Sequence, residues 1–221
     1  MNHVRSFVIA VLAGAALMLV PRAVDAQQAI TTDFEGGIAV PAGDLADIVD
    51  PGPGFTAGLN FQIHDRISIR AEGGADLYKV ADISSPTVSD ATEPGPDMTV
   101  TRLDLGLIFH AVSAEESGGV WVDADVGGGY HIITTDNYEL ALPVDVLSVD
   151  LSSGYLGAKG GLTVGYRFHD SISAFVGGDA YLVPLDTDDF SDFTDFDEID
   201  SVPETHWSFP VQAGLRLHFQ P

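Results

Sequence analysis

Gly54-Phe55-Thr56-Ala57-Gly58-Leu59-Asn60-Phe61-Gln62-Ile63 is the stretch that decides the fold. Its odd positions hold Phe55, Ala57, Leu59, Phe61 and Ile63, and its even positions hold Gly54, Thr56, Gly58, Asn60 and Gln62. Successive side chains of a strand point to opposite faces, so this period of two predicts a strand with one apolar and one polar face. The alternation resumes at once in Ile67, Ile69, Ala71, Gly73, Ala75 and Leu77, set against Ser68, Arg70, Glu72, Gly74, Asp76 and Tyr78. It returns with Leu103, Leu105, Leu107 and Phe109, and with Val120, Val122, Ala124, Val126, Gly128 and Tyr130. Further on come Leu162, Val164, Tyr166 and Phe168, then Ile172, Ala174, Val176, Gly178, Ala180 and Leu182. Trp207, Phe209, Val211, Ala213, Leu215, Leu217 and Phe219 make the last segment, and a weaker one at 30–40 brings the count to eight.

The connections alternate as well. His64-Asp65, 113–119 and His169-Asp170 are short, whereas 41–53, 81–97, 134–152 and 185–203 are long. Strict alternation places every long loop at one end of an all-β, eight-stranded antiparallel up-and-down barrel, the plan of transmembrane barrels with short turns on one side and long external loops on the other. Residues 61–68, FQIHDRIS, also resemble 166–173, YRFHDSIS, and both copies fall on a short-turn hairpin.

The polar faces identify the solvent. They carry the acids Asp33, Glu35, Glu72, Asp76, Asp104, Asp123, Asp125 and Asp179 and the bases Arg70, Arg102, Lys159, Arg167 and Arg216. A soluble eight-stranded cup turns its apolar face inward around a ligand. These faces are too charged and glycine-rich for the outside of such a cup, so the expected arrangement is apolar side to lipid and charges paired in the lumen. An Arg or Lys on the lipid face costs roughly 2–4 kcal/mol at the midplane, and the apolar positions carry none. Arg216 on the last strand is expected to pair across the closing seam with Asp33 or Glu35 on the first. Phe61, Phe109, Phe168 and Phe219 close four strands at the short-turn end on the apolar face, the level of an interfacial aromatic girdle, with Tyr130 and Trp207 as candidates for the opposite girdle.

Composition closes off other classes. The 221 residues include 9 basic and 33 acidic side chains, a net charge of −24, and no cysteine. The basic footprint of a nucleic-acid binder is missing, and so are thiol nucleophiles, disulfides and cysteine zinc sites. A 45% hydrophobic content argues against disorder. At the N-terminus, Arg5, an apolar run of 14 residues at 7–20, Pro21 and Val24-Asp25-Ala26 predict a secretory signal, 1–26, cleaved after Ala26 to leave a barrel domain at 27–221. That run is shorter than the roughly 20 residues a membrane-spanning helix needs.

The 36–44 stretch GGIAVPAGD, the 51–55 stretch PGPGF and the closing 213–219 stretch AGLRLHF are similar to the small outer-membrane β-barrel family that includes the OmpA transmembrane domain and OmpX-like proteins. The resemblance covers essentially all of 27–221, and its motifs are architectural. It implies insertion by the β-barrel assembly machinery into the outer membrane of a Gram-negative-type cell. The family usually ends on its last aromatic residue, whereas here Gln220 and Pro221 follow Phe219.

Candidate chemistry is sparse. His206-Trp207-Ser208 faintly resembles the His-x-Ser of outer-membrane lipid A deacylases, but Phe209-Pro210 follows where that pattern continues with Asn, and both residues belong to the lumen face. His110, His131 and His218 fall on inward faces of three strands without ligand spacing. The clusters 127–129, 160–161 and 177–178 are all glycine but lack the Lys-Ser of a phosphate loop, and barrel bends are their expected use.

The long loops, counted to Glu204, hold 20 acids and no Lys or Arg. Nine lie between Asp186 and Glu204, where 190–197 alternates acids with Phe190, Phe193 and Phe196. The plain reading is a solvated acidic loop. The alternatives are a contact surface made by the phenylalanines and weak calcium association at Asp192, Asp195 and Asp197, without the glycine of an EF-hand loop; no other cofactor is expected. The reading is therefore a monomeric, non-enzymatic outer-membrane protein. Its partners are lipid and lipopolysaccharide, and its acidic loops serve surface interaction or envelope stabilisation. A narrow cation-preferring pore is the alternative, and a lipid-modifying enzyme ranks third.

Overall fold

The computed structural model describes residues 30–47, 49–80, 83–84, 92–93, 97–113, 118–135, 138–141, 146–149, 152–185 and 205–219. The expected signal segment, 1–26, and the loop containing Asp192, Asp195 and Asp197 lie outside them. Eight long strands form the wall: β1 (Ile30–Ala42), β2 (Gly52–His64), β3 (Ile67–Val80), β4 (Asp97–Val112), β5 (Gly119–Thr135), β6 (Ser152–His169), β7 (Ile172–Pro184) and β8 (Thr205–Phe219). Each pairs antiparallel with the next, and β8 returns to β1 in a ladder from Ile30 opposite Phe219 to Ala42 opposite Trp207. The sheet is closed, so no long strand is left with an unpaired edge.

Several strands are longer than the alternation predicts, chiefly at the long-loop end. β4 begins at Asp97, six residues before Leu103, and β6 begins at Ser152, ten before Leu162. Threonines in β4 and glycines in β6 blur the hydropathy pattern there, but the backbone ladder needs no apolar side chain to continue. The connection 134–152 holds its own hairpin, Tyr138–Ala141 with Val146–Val149, and 81–97 holds Ile83–Ser84 paired with Thr92–Glu93. After β1, Gly43 turns the chain with φ 63° into a 3-10 segment, Gly43–Asp47, before Val49–Asp50 pairs with the end of β3.

The repeated hairpin repeats in geometry. At both copies the register slips by one residue, so that His64 sits opposite Ile67 and His169 opposite Ile172. The His64 ring Nδ1 accepts the Arg66 backbone N–H at 3.4 Å, and the His169 ring Nδ1 accepts that of Ser171 at 3.2 Å. The histidine thus closes the turn on its own backbone two residues on, as an Asx side chain does.

Burial follows the period of two. Arg70, Glu72, Asp76, Arg102, Asp104, Asp123 and Asp125 are inside, while Phe34, Ile38, Phe55, Leu105, Val126, Leu156, Leu162, Val176 and Val211 are exposed. Leu156 is 76% exposed and Leu105 and Leu162 are each 65% exposed. An apolar surface that runs right round the wall is far larger than the isolated patches of soluble monomers, and hydrocarbon is the solvent that suits it. The twelve steps from Trp207 to Phe219, at about 3.3 Å each and tilted by about 40°, rise roughly 30 Å, a bilayer core's thickness.

The lumen departs from the expectation of charge throughout. Its long-loop end is packed with Ala39, Tyr78, Met98, Val100, Ile133, Tyr155 and Val183, joined by Leu45 and Val49 from the connection after β1. The inward residues there lie largely in the strand extensions that the alternation misses.

Two glycines show how tightly the interior is filled. A Cβ at Gly165 would come within 2.2 Å of the Trp121 indole, and one at Gly161 within 2.0 Å of Asp179 Oδ1 and 2.6 Å of Asp125 Oδ1. A closed ladder is expected to hold in cold sodium dodecyl sulfate, so unheated protein should migrate differently from boiled protein on a gel. Leu105→Arg, at the middle of the lipid face, should cost roughly 2–4 kcal/mol in urea unfolding from detergent, against little for Thr99→Arg near the rim.

Candidate functional site

The site is the barrel interior, where inward side chains of all eight strands meet. Its lowest tier lies at the short-turn end and is centred on Arg216. The guanidinium holds Asp33 through Nε to Oδ1 at 2.7 Å and Nη2 to Oδ2 at 3.0 Å, a two-point contact across the β8–β1 seam. Asp33 also accepts from Asn60 Nδ2 at 2.9 Å. Arg216 Nη1 then crosses the lumen to Asp123 Oδ2 on β5 at 2.6 Å. The Trp121 ring lies 4.0 Å from the Arg216 guanidinium carbon and that of Phe175 5.8 Å, so the cation is bonded at its edges and stacked on its face. Asp123 Oδ1 accepts from His110 Nδ1 at 2.7 Å, and His110 Nε2 is 2.8 Å from Ser68 Oγ.

In the middle tier, Arg70 is paired with Glu35 and, through Nε, with Glu72 Oε2 at 2.5 Å. Lys159 reaches across from β6 to Glu72 Oε1 on β3 at 2.5 Å and to Asp125 Oδ2 at 3.2 Å. Glu72 also accepts from the Tyr181 hydroxyl at 3.1 Å. Above it, Arg102 is paired with Asp76, donates to Thr56 Oγ1 at 2.8 Å and lies 4.7 Å from the centre of the Tyr181 ring. His131 Nε2 is 3.1 Å from Asp104 Oδ1. These ions are desolvated by the wall and compensated by one another and by Asn60, Thr56 and Tyr181, so removing one partner costs far more than a surface pair would. The void bordered by Arg70, Glu72, Asp104, Gly106, Asp125 and Lys159 is too narrow to seat a water molecule.

Four of the five bases expected in the lumen, Arg70, Arg102, Lys159 and Arg216, therefore stand in ion pairs. Arg167 points inward too but donates to the Asp170 carbonyl at 2.5 Å, bracing its own turn. Asp179 faces inward, and among the described residues no base comes within 4 Å of it. Glu35, the other candidate for Arg216, turns to Arg70 instead.

His110, His131 and His218 are not brought together; each has its own partner, Asp123, Asp104 and Ser173. Among the described residues no group of three His, Asp or Glu is disposed to hold a metal ion. His206 and Ser208 are buried on the lumen face without a hydrogen bond between them, and the His206 ring meets Tyr78 edge-on at 6.1 Å. Phe109, Phe168 and Phe219 are exposed, and Phe61 is half-buried, on the outer face at the short-turn end; Tyr130 and Trp207 are exposed toward the other end, with Trp207 stacked on Phe209 at 6.4 Å. Reading the polar faces for charge alone misses the inward aromatics Tyr78, Trp121, Phe175 and Tyr181, although their parity places them there.

No family model matches the chain, and no curated protein does. Among solved structures, a major outer membrane protein from Thermus thermophilus is similar at 14% identity and a TM-score of 0.56, over 88% of this chain and 100% of that one. Neisserial surface protein A is similar at 14% identity and a TM-score of 0.46, over 88% and 98%. Ail, the attachment invasion locus protein of Yersinia pestis, in complex with sucrose octasulfate, is similar at 8% identity and a TM-score of 0.49, over 88% and 100%. At these identities the likeness is one of fold, and the fold is that of small outer-membrane β-barrels.

Arg216→Met should cost about 3–5 kcal/mol in urea unfolding from detergent, because Asp123 loses its guanidinium and Asp33 keeps only the longer cation contact, to Arg70 at 3.9 Å, inside the wall. Arg167→Met, which breaks only a turn contact, should cost less than about 1 kcal/mol.

Proposed function

We propose that the chain is an outer-membrane barrel with a sealed lumen, exported by its N-terminal segment and inserted by the barrel assembly machinery as a monomer. Its role, in surface interaction or envelope stabilisation, is carried by its acidic loops and lipid-facing wall and needs no catalysis. The observation that carries this reading is the pairing of an apolar exterior with an interior bridged from wall to wall by Arg216–Asp123 and Lys159–Glu72. A wall that is apolar outside belongs in lipid, and a lumen crossed by ion pairs leaves no aqueous path. The outward aromatics at the two ends would sit at the two interfaces, among lipid and lipopolysaccharide. Cell fractionation should place the protein in the outer membrane with Gln27 as its first residue.

The alternative of a cation-preferring pore needs a lumen wide enough for a hydrated ion, and the interior tiers count against it. Purified monomer in planar bilayers is expected to give no steady conductance. A stable cation-selective current from the parent protein would reverse this reading.

The external loops carry carboxylates without counter-charge next to an anionic leaflet, so a divalent cation is needed to screen them at short range. Weak, roughly millimolar calcium association at Asp192, Asp195 and Asp197 meets that need and would gather Phe190, Phe193 and Phe196 into a contact surface. Calcium at a few times that concentration is expected to protect the loop from protease, and the triple change of these aspartates to Asn is expected to remove the protection. Equal cleavage with and without calcium would leave the loop a plain solvated surface.

A further inference from the structure

Two serine–histidine pairs stand on the inward face near the short-turn end. Ser68 Oγ lies 2.8 Å from His110 Nε2, and Ser173 Oγ lies 2.7 Å from His218 Nε2. Ser68 and Ser173 hold the same place in the two copies of the repeated hairpin. Only the first pair is continued. His110 Nδ1 is 2.7 Å from Asp123 Oδ1, whereas among the described residues no carboxylate lies within ion-pair distance of His218.

That difference sets the chemistry. An ionised carboxylate can only accept, so His110 Nδ1 donates its proton to Asp123, and in the neutral imidazole Nε2 keeps the lone pair that faces the Ser68 hydroxyl. Asp123 is held in turn by Arg216 Nη1 at 2.6 Å on its other oxygen. A hydroxyl, a correctly tautomerised base and a fixed carboxylate that orients the base are the elements of an activated serine. His110 lies near the end of β4, with its side chain 18% exposed at the short-turn mouth, and Ser68 beside it is 3% exposed, so an ester reaches the hydroxyl from the His110 side. Gln62 sits directly opposite Ser68 in the β2–β3 ladder, half-buried on the same face.

We propose that Ser68, His110 and Asp123 form a nucleophilic relay at the short-turn mouth that takes small carboxylic esters. Ser68 Oγ attacks the ester carbonyl carbon while His110 Nε2 receives the hydroxyl proton. The tetrahedral adduct collapses, the alkoxide leaves with that proton, and an acyl group remains on Ser68. Water, deprotonated by His110, then releases the carboxylic acid and restores the hydroxyl. This activity goes beyond the loop-borne role and does not depend on which side of a membrane the short turns face.

The test uses the full-length folded protein in detergent, with heat-shifted gel mobility as the check on folding. p-Nitrophenyl acetate reports turnover, and diisopropyl fluorophosphate followed by peptide mass mapping reports the labelled residue. The expected result is a single adduct on Ser68. Ser68→Ala abolishes adduct and turnover, His110→Gln slows both by about 100-fold or more, and Ser173→Ala behaves as the parent. If Ser68→Ala does not fold, His110→Gln carries the same comparison. Folded parent protein that forms no Ser68 adduct, Ser68→Ala that still turns over ester at the parent rate, or Ser173→Ala that loses as much as Ser68→Ala overturns the proposal. Any of these outcomes leaves the barrel reading untouched, because that reading rests on fractionation and conductance.

Discussion

Hydrocarbon offers no partner to a backbone N–H or C=O, and each one left open in lipid costs several kcal/mol. That constraint requires the sheet to close, and everything else in this chain follows from how it closes. β1 and β8 come from opposite ends of the described sequence and must find one register among several. Asp33 opposite Arg216 marks that register from the inside. A slip by one residue would leave the two side chains on opposite faces, one of them toward lipid, so the ion pair penalises the wrong closure more than it strengthens the right one.

The interior is built from two different materials. Toward the short turns it is a polar lattice in which several carboxylates serve more than one donor, as Asp33 serves Arg216 and Asn60 and Glu72 serves Lys159 and Tyr181. Toward the long loops it is an ordinary apolar core, with Leu45 and Val49 brought in from outside the wall. The first material fixes geometry through direction, and the second through packing. A polar relay such as Ser68–His110–Asp123 can exist only in the first, where donors and acceptors already hold one another in place.

Much of this is legible in the residues alone. Strand count, barrel closure, the lipid-facing side and the turn-and-loop alternation all follow from parity, because the charged face needs a lumen and the apolar face needs lipid. The Arg216–Asp33 seam is legible too, since closure forces the first and last strands together. Parity does not give the partners across the lumen: nothing along the chain says that Lys159 reaches Glu72, or that Asp123 is shared between Arg216 and His110. Those contacts depend on the stagger of the strands round the barrel, which hydropathy does not encode. The apolar core escapes for a simpler reason. Val100 and Ile133 lie where threonines blur the alternation, and the backbone pairing that extends those strands leaves no trace in side-chain hydropathy.

The contacts that cross the lumen also set a mechanical property. A hoop of backbone hydrogen bonds resists stretching along its circumference but yields easily to ovalisation, since flattening the cylinder breaks no bond in the hoop. Arg216–Asp123 and Lys159–Glu72 run inside that hoop like spokes between opposed strands. A cross-section braced in this way keeps its shape under uneven lateral pressure from the lipid. The long loops can therefore change in length and charge at one rim without altering the bore or the arrangement of side chains at the other.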